Sequence, residues 1–154
     1  MRTLAIFTLL LALPLAAKAQ DDKAKEVAQD VLNKGSALFD THDAAAMAAT
    51  YTEDAQLFWL QKDDSTGEIK VTNKNGRAEI EDVYRDIFKD QKEKTTSKNT
   101  VEFARFAKPD VLIIEGVFQP NVDKEGKFPF VQVRVKQGDK WLMKTLQFFV
   151  MSQD

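Results

Sequence analysis

The stretch His42 to Trp59, HDAAAMAATYTEDAQLFW, decides the fold. Its Ala-rich first half reads as a short helix over Asp43 to Tyr51, with the Asp43 carboxylate placed to accept N–H groups of the first turn. Thr52-Glu53-Asp54 ends that helix, and Ala55 to Leu60 reads as a strand that follows directly. Upstream, Ala24, Val27, Ala28, Val31 and Leu38 recur at helical spacing and predict a helix from Ala24 to Asp40. Gly35 falls on its apolar side, where a missing side chain would admit close approach of another element.

Downstream of Trp59 the chain is polar as far as Gly76, with a short hairpin arm expected at Glu68 to Thr72. A third helix from Arg77 to Lys92 carries Ile80, Val83, Tyr84, Ile87 and Phe88 as one apolar stripe. Four strands follow, expected at Thr100–Ala107, Val111–Phe118, Phe128–Lys136 and Trp141–Met151, the last two joined by a tight turn at Gln137-Gly138-Asp139. Helices first and an antiparallel sheet last predict an α+β domain in which helices cover one face of the sheet.

Three local patterns stand in this order. They are Asp43 with Tyr51-Thr52-Glu53-Asp54-Ala55; Asn75-Gly76-Arg77-Ala78-Glu79-Ile80; and Pro109-Asp110-Val111 followed by a terminal strand that opens Trp141-Leu142-Met143 and carries Gln147. Together they resemble the nuclear-transport-factor-two-like superfamily, in its SnoaL-like branch. The resemblance implies a cone-shaped cystatin-like roll, with N-terminal helices packed on a curved antiparallel sheet around one pocket, and frequent homodimers.

Ahead of this domain lies a leader. Arg2, the apolar run Leu4–Leu13, Pro14 and the small-x-small site Ala17-Lys18-Ala19 have the three-part layout of a secretory signal peptide. The apolar run is half the roughly 20 residues that a spanning helix needs. Residues 1–19 are therefore expected to be a signal peptide cleaved after Ala19, and 20–154 a single periplasmic or secreted domain with no membrane association after cleavage. Loss of Arg2 and Lys18 takes the formal net charge from −2 to −4, which speaks against nucleic acid as a partner. The chain has no Cys, so packing rather than disulfides must hold the domain together.

Chemistry is sparse. The single His, His42, sits at the start of the second helix and reads as a solvent-facing turn residue where relatives carry Gly or Asn. With no Cys beside it, ordinary zinc sites are excluded, and no G-x-S-x-G elbow is present. The ketosteroid isomerases of this fold use a carboxylate base with a Tyr and a protonated Asp as oxyanion donors. Aligned with their first strand, this chain puts Trp59 where the base stands and Gly35 where the first helix supplies the Tyr. Near Val131 and Gln132 it offers no acid.

The expected pocket wall comprises Trp59, Tyr84, Gln132, Arg134 and Gln147, with Glu115 as a buried carboxylate that could pair with Arg134. The leading expectation is a binding protein without cofactor or metal that holds a small, largely apolar molecule. The alternatives are a cofactor-independent isomerase, cyclase or hydrolase working through Glu115 and Tyr84, and a homodimeric interaction module whose apolar sheet face, Phe149 included, meets a second copy.

Overall fold

A computed structural model describes residues 13–63, 65–89, 91 and 96–150, with the backbone alone for 13–19. Most of the expected leader, the charged run 92–94 and Met151 lie outside the described residues. Three helices, α1 (Leu13–Phe39), α2 (Ala44–Ala48) and α3 (Gly76–Lys89), accompany six strands. These are β1 (Tyr51–Lys62), β2 (Ile69–Asn75), β3 (Lys98–Lys108), β4 (Val111–Gln119), β5 (Phe128–Gln137) and β6 (Lys140–Val150). They form one sheet in the order β2-β1-β6-β5-β4-β3. Every neighbouring pair is antiparallel except β1 with β6, so the sheet is mixed where the sequence had indicated an antiparallel one. β1 and β6 are the first and last strands in sequence, and no hairpin constrains the direction of their pairing.

The expected second helix is shorter than the sequence suggests: α2 ends at Ala48 and β1 already opens at Tyr51, so Tyr51 to Asp54 are strand. Asp43 is extended and caps α2, its Oδ1 accepting from the Ala46 N–H at 2.9 Å. Glu79 reaches back to accept the Asn75 N–H at 2.9 Å and closes the start of α3. The Arg77 guanidinium donates to the Tyr51 carbonyl through Nη2 (2.6 Å) and Nε (3.2 Å), which ties α3 to the first residue of β1.

The inner face of the sheet buries Ala55, Leu57, Ala104, Leu112, Ile114, Phe130, Met143 and Leu146. Ala24, Ala28, Leu32 and Phe39 of α1 and Ile80, Tyr84 and Phe88 of α3 press down on it. Phe39 is the junction of three elements: its ring meets the edges of Phe88 on α3 and Phe118 on β4, both at 5.1 Å between centroids. Ile87, expected in the α3 stripe, is instead 38% exposed.

Two bulges set which residues face inward. On β6, Thr145 pairs with Val133 but Met143 with the adjacent Arg134, so Lys144 is the extra residue. Before it the odd residues Trp141 and Met143 face the helices; after it the even residues Leu146 and Phe148 do. The Lys144 ammonium is drawn outward to Asp54, at 2.5 Å from Oδ2, and the Met143 N–H donates to the Thr50 carbonyl at 2.8 Å. A similar shift at Glu102 on β3 keeps Val101 and Ala104 both inward.

The helices are spread over the two flanks of this sheet. α1 rests on β3, with a lesser contact to β4, and α3 packs on α2 and β1. Neither helix packs closely on β5 or β6. Among the described residues the helix backbones thus stand off the two central strands, whose inward side chains Phe130, Met143 and Leu146 are still buried in the shared core.

Gly116 on β4 is the one glycine that close approach demands. A Cβ there would lie 2.2 Å from the Thr100 carbonyl oxygen and 3.0 Å from the Phe130 ring. Gly116→Ala is expected to lower stability by about 1–3 kcal/mol, since overpacking forces backbone to shift. An unchanged denaturation midpoint would show that the β3–β4 approach is looser than described.

Candidate functional site

Between the flanking helices and the central strands lies a cavity of about 780 Å³, bordered by α1, α2, α3 and the inner faces of β4, β5 and β6. Its wall is mainly apolar: Leu38, Phe39, Met47, Trp59, Phe118, Trp141, Leu146 and Phe148. The rim is polar and exposed, with Asp30 and Lys34 from α1 and Asp139 and Lys140 from the β5–β6 turn.

Gly35 also lines this space, and no atom lies within 4 Å of where its Cβ would be. The sequence suggested that Gly35 admits another element; the structure shows that it leaves room unfilled. Any larger side chain at this point of α1 would project into the hollow.

The polar part of the wall is a small group on β5, α3 and β1. Arg134 is only 4% exposed and Gln132 5%, two residues apart on the inward face of β5. Arg134 Nε donates to Gln132 Oε1 at 2.9 Å, and Nη1 donates to the Trp141 carbonyl at 3.2 Å. Among the described residues no carboxylate forms an ion pair with Arg134. Burial pulls its pKa down to about 10, partly offset by the two tyrosines. Each unit of such a shift is about 1.4 kcal/mol, so keeping this cation buried costs a few kcal/mol.

Tyr84 on α3 and Tyr51 at the head of β1 share a hydrogen bond between their hydroxyls, 2.7 Å long, and Tyr84 lines the cavity. Burial pushes Tyr84 up to about 12 and Tyr51 well above its ordinary value; for Tyr51 the neighbouring Tyr84 adds to the rise. The Arg134 charge pulls both down without overcoming burial. At neutral pH the group is therefore one cation among neutral phenols and an amide. Gln91, past the end of α3, also lines the cavity, and its Oε1 is buried with no hydrogen-bond partner.

Four of the residues expected in the pocket wall are there: Trp59, Tyr84, Gln132 and Arg134. Gln147 and Glu115 are not. Strict alternation from Trp141 would carry Gln147 inward, but the Lys144 bulge inverts the parity, and Gln147 pairs with Phe58 and Val131 on the outer face. Glu115 lies between inward-facing Ile114 and Gly116, is exposed, and has Phe103 and Val131 as cross-strand neighbours. The cross-strand neighbours of Arg134 are Leu112 and Met143, so the expected Glu115–Arg134 pair does not form. Tyr51 was legible only as part of a motif; its burial against Tyr84 depends on an Arg77 clamp that spans 26 positions.

His42 does occupy a turn, with φ of 57°, yet its ring does not simply face solvent: it is half-buried and stacks on Phe88 at 5.1 Å. Among the described residues no group of three or more His, Cys, Asp and Glu is arranged to hold a metal ion.

The chain matches no protein-family model and no curated protein sequence. Solved structures do match it. An NTF2-like protein of unknown function from Pseudomonas putida has a TM-score of 0.60 at 12% identity, over 84% of this chain and 88% of that one. A candidate scytalone dehydratase from Novosphingobium aromaticivorans has a TM-score of 0.59 at 12% identity, over 90% and 87%. An NTF2-like protein with a cystatin-like fold from the same genus scores 0.53 at 14% identity, over 97% and 94%. At these identities the likeness is one of fold: the chain has the nuclear-transport-factor-two-like, cystatin-like α+β architecture.

Because the chain contains only two tyrosines, both in this group, their titration reads the site directly. Between the unfolded value of about 10 and the folded value of about 12 for Tyr84, the native state holds a proton that the unfolded chain has released. The Tyr84 contribution to stability is therefore complete below pH 10 and lost as pH rises through about 12, and the raised Tyr51 acts in the same direction. Arg134 has the opposite sign: its lowered folded pKa makes stability rise with pH above about 10. Near-ultraviolet phenolate absorbance is expected near pH 12 or above in the folded protein, and near pH 10 in denaturant. A phenolate transition near pH 10 with the fold intact would contradict the buried pair.

Proposed function

We propose that this protein is an exported, non-catalytic binding protein that holds a small, largely apolar molecule in the cavity between its helices and β5–β6. The observation that carries the reading is the hollow itself. Its volume of about 780 Å³ lies within the roughly 300–1,000 Å³ of small-molecule sites, and its mostly apolar wall has few convergent polar groups. Gly35 supports it further, since an α1 glycine facing empty space weakens the helix by about 0.5–1 kcal/mol without improving packing.

The enzymatic alternative loses its acid–base pair. Glu115 is on the opposite face of the sheet from Tyr84, and the carboxylates that border the cavity, Asp30 and Asp139, are exposed at the rim. A phenol held near 12 is a poor base at neutral pH. Homodimerisation has its own support. The outer sheet face carries Phe58, Ile113, Val131, Val133 and Phe149 half-buried, with Phe103 39% exposed, an apolar surface suited to a second copy. Export rests on the leader sequence. Among the described residues no helix is long and apolar enough to cross a membrane.

Three measurements test these readings. In a metabolite screen by thermal shift and native mass spectrometry, the protein is expected to retain an apolar ligand, and Gly35→Leu is expected to fold at least as stably yet lose it. Retention by the variant would place binding outside the cavity. Dilution is expected to dissociate a dimer more readily in Phe149→Asp than in the parent; a monomer at all concentrations would remove the dimer. The mass of the exported product should correspond to a chain beginning at Gln20, and a product retaining Met1 would refute cleavage.

A further inference from the structure

The ligand-binding reading leaves the chemistry of the ligand's polar end open, and Arg134 supplies it. We infer that the cavity takes an amphipathic anion, an apolar carboxylic acid whose carboxylate docks on Arg134 while its hydrocarbon part lies against Trp59, Phe118 and Phe148. The inference rests on the proposed binding function and adds the head group to it.

A guanidinium has five N–H donors and cannot shed its charge at ordinary pH. Two donors are committed, to Gln132 Oε1 and the Trp141 carbonyl, and both acceptors are neutral. Three remain, on a side chain that is 4% exposed and borders the hollow. Buried cations in folded proteins are ordinarily paired with a carboxylate. Here the carboxylates that border the cavity, Asp30 and Asp139, stand on its exposed rim, and neither bridges to Arg134.

The surroundings specify the missing partner. Gln132 fixes the Nε edge of the guanidinium, so the planar end of the fork is presented in a set orientation, and that geometry matches a carboxylate through two parallel hydrogen bonds. Tyr84 is neutral and hydroxyl-bearing, able to donate to an anion but with no charge to repel one. The rest of the wall is apolar, which suits a hydrocarbon tail and would not suit a hydrophilic dicarboxylate or sugar acid. An anionic head would restore the solvation that Arg134 gave up on folding.

The test uses the purified exported protein with decanoate and with decanol, matched in length and differing in the head group, and follows both by calorimetry and native mass spectrometry. Decanoate is expected to bind at least about tenfold more tightly than decanol, the ratio that one charge-assisted hydrogen bond supplies. Arg134→Met should reduce that preference to near unity, and Gly35→Leu should abolish binding of both. Equal affinity for acid and alcohol in the parent protein, still blocked by Gly35→Leu, would overturn the anionic head group and leave the apolar pocket standing. Binding of neither probe would overturn the carboxylic-acid inference, and the metabolite screen would then decide the pocket separately. The comparison in the parent protein is decisive by itself if Arg134→Met fails to fold.

Discussion

A guanidinium held inside an apolar domain, with no carboxylate paired to it among the described residues, is the constraint around which this molecule is arranged. Arg134 is buried on β5, anchored by the Gln132 amide oxygen and the Trp141 backbone carbonyl. A cation so placed is tolerable only if it faces space that water or a ligand can enter, because desolvation without a partner is among the largest penalties a folded chain can carry. The hollow and the arginine therefore explain each other. The cavity leaves room for an anion beside the guanidinium, and the charge gives an otherwise apolar cavity one point of chemical selectivity.

The hollow follows from where the helices rest. α1 lies over β3 and α3 over β1, at opposite flanks of the sheet, and the helix backbones stand off β5 and β6 between them. Phe39 of α1, Phe88 of α3 and Phe118 of β4 lock three elements together at edge-to-face contacts, so the helices cannot close over the gap without breaking that junction. The Arg77 clamp on Tyr51 and the Tyr51–Tyr84 hydroxyl pair hold α3 at a fixed distance from β1. Gly35 withholds the side chain that would have filled the remaining room.

Much of this was legible in the residues. The period of Ile80, Val83, Tyr84 and Phe88 announces α3, Asp43 announces the α2 cap, and alternation along Phe128–Lys136 puts Gln132 and Arg134 on one face. Gln147 failed because one unpaired residue, Lys144, inverts every side chain after it, and nothing in Trp141–Val150 marks the bulge: no glycine, no proline. Glu115 failed because its apolar neighbours suggested burial on both faces, whereas the outer face of this part of the sheet is open to solvent. Gly35 and the tyrosine pair depend on distances between elements far apart in the chain, which local pattern does not carry.

The most direct measurement is the equilibrium stability of Arg134→Met near neutral pH. A residue that holds the fold together would be missed when replaced by an apolar side chain of similar volume. A residue retained at the expense of stability, in a space kept open for a guest, would not. A denaturation midpoint equal to or higher than that of the parent is predicted, because the substitution removes the desolvation cost of a buried cation that no carboxylate offsets among the described residues. A loss of several kcal/mol would contradict it, and would mean that Arg134 is a structural linchpin rather than a binding group in waiting.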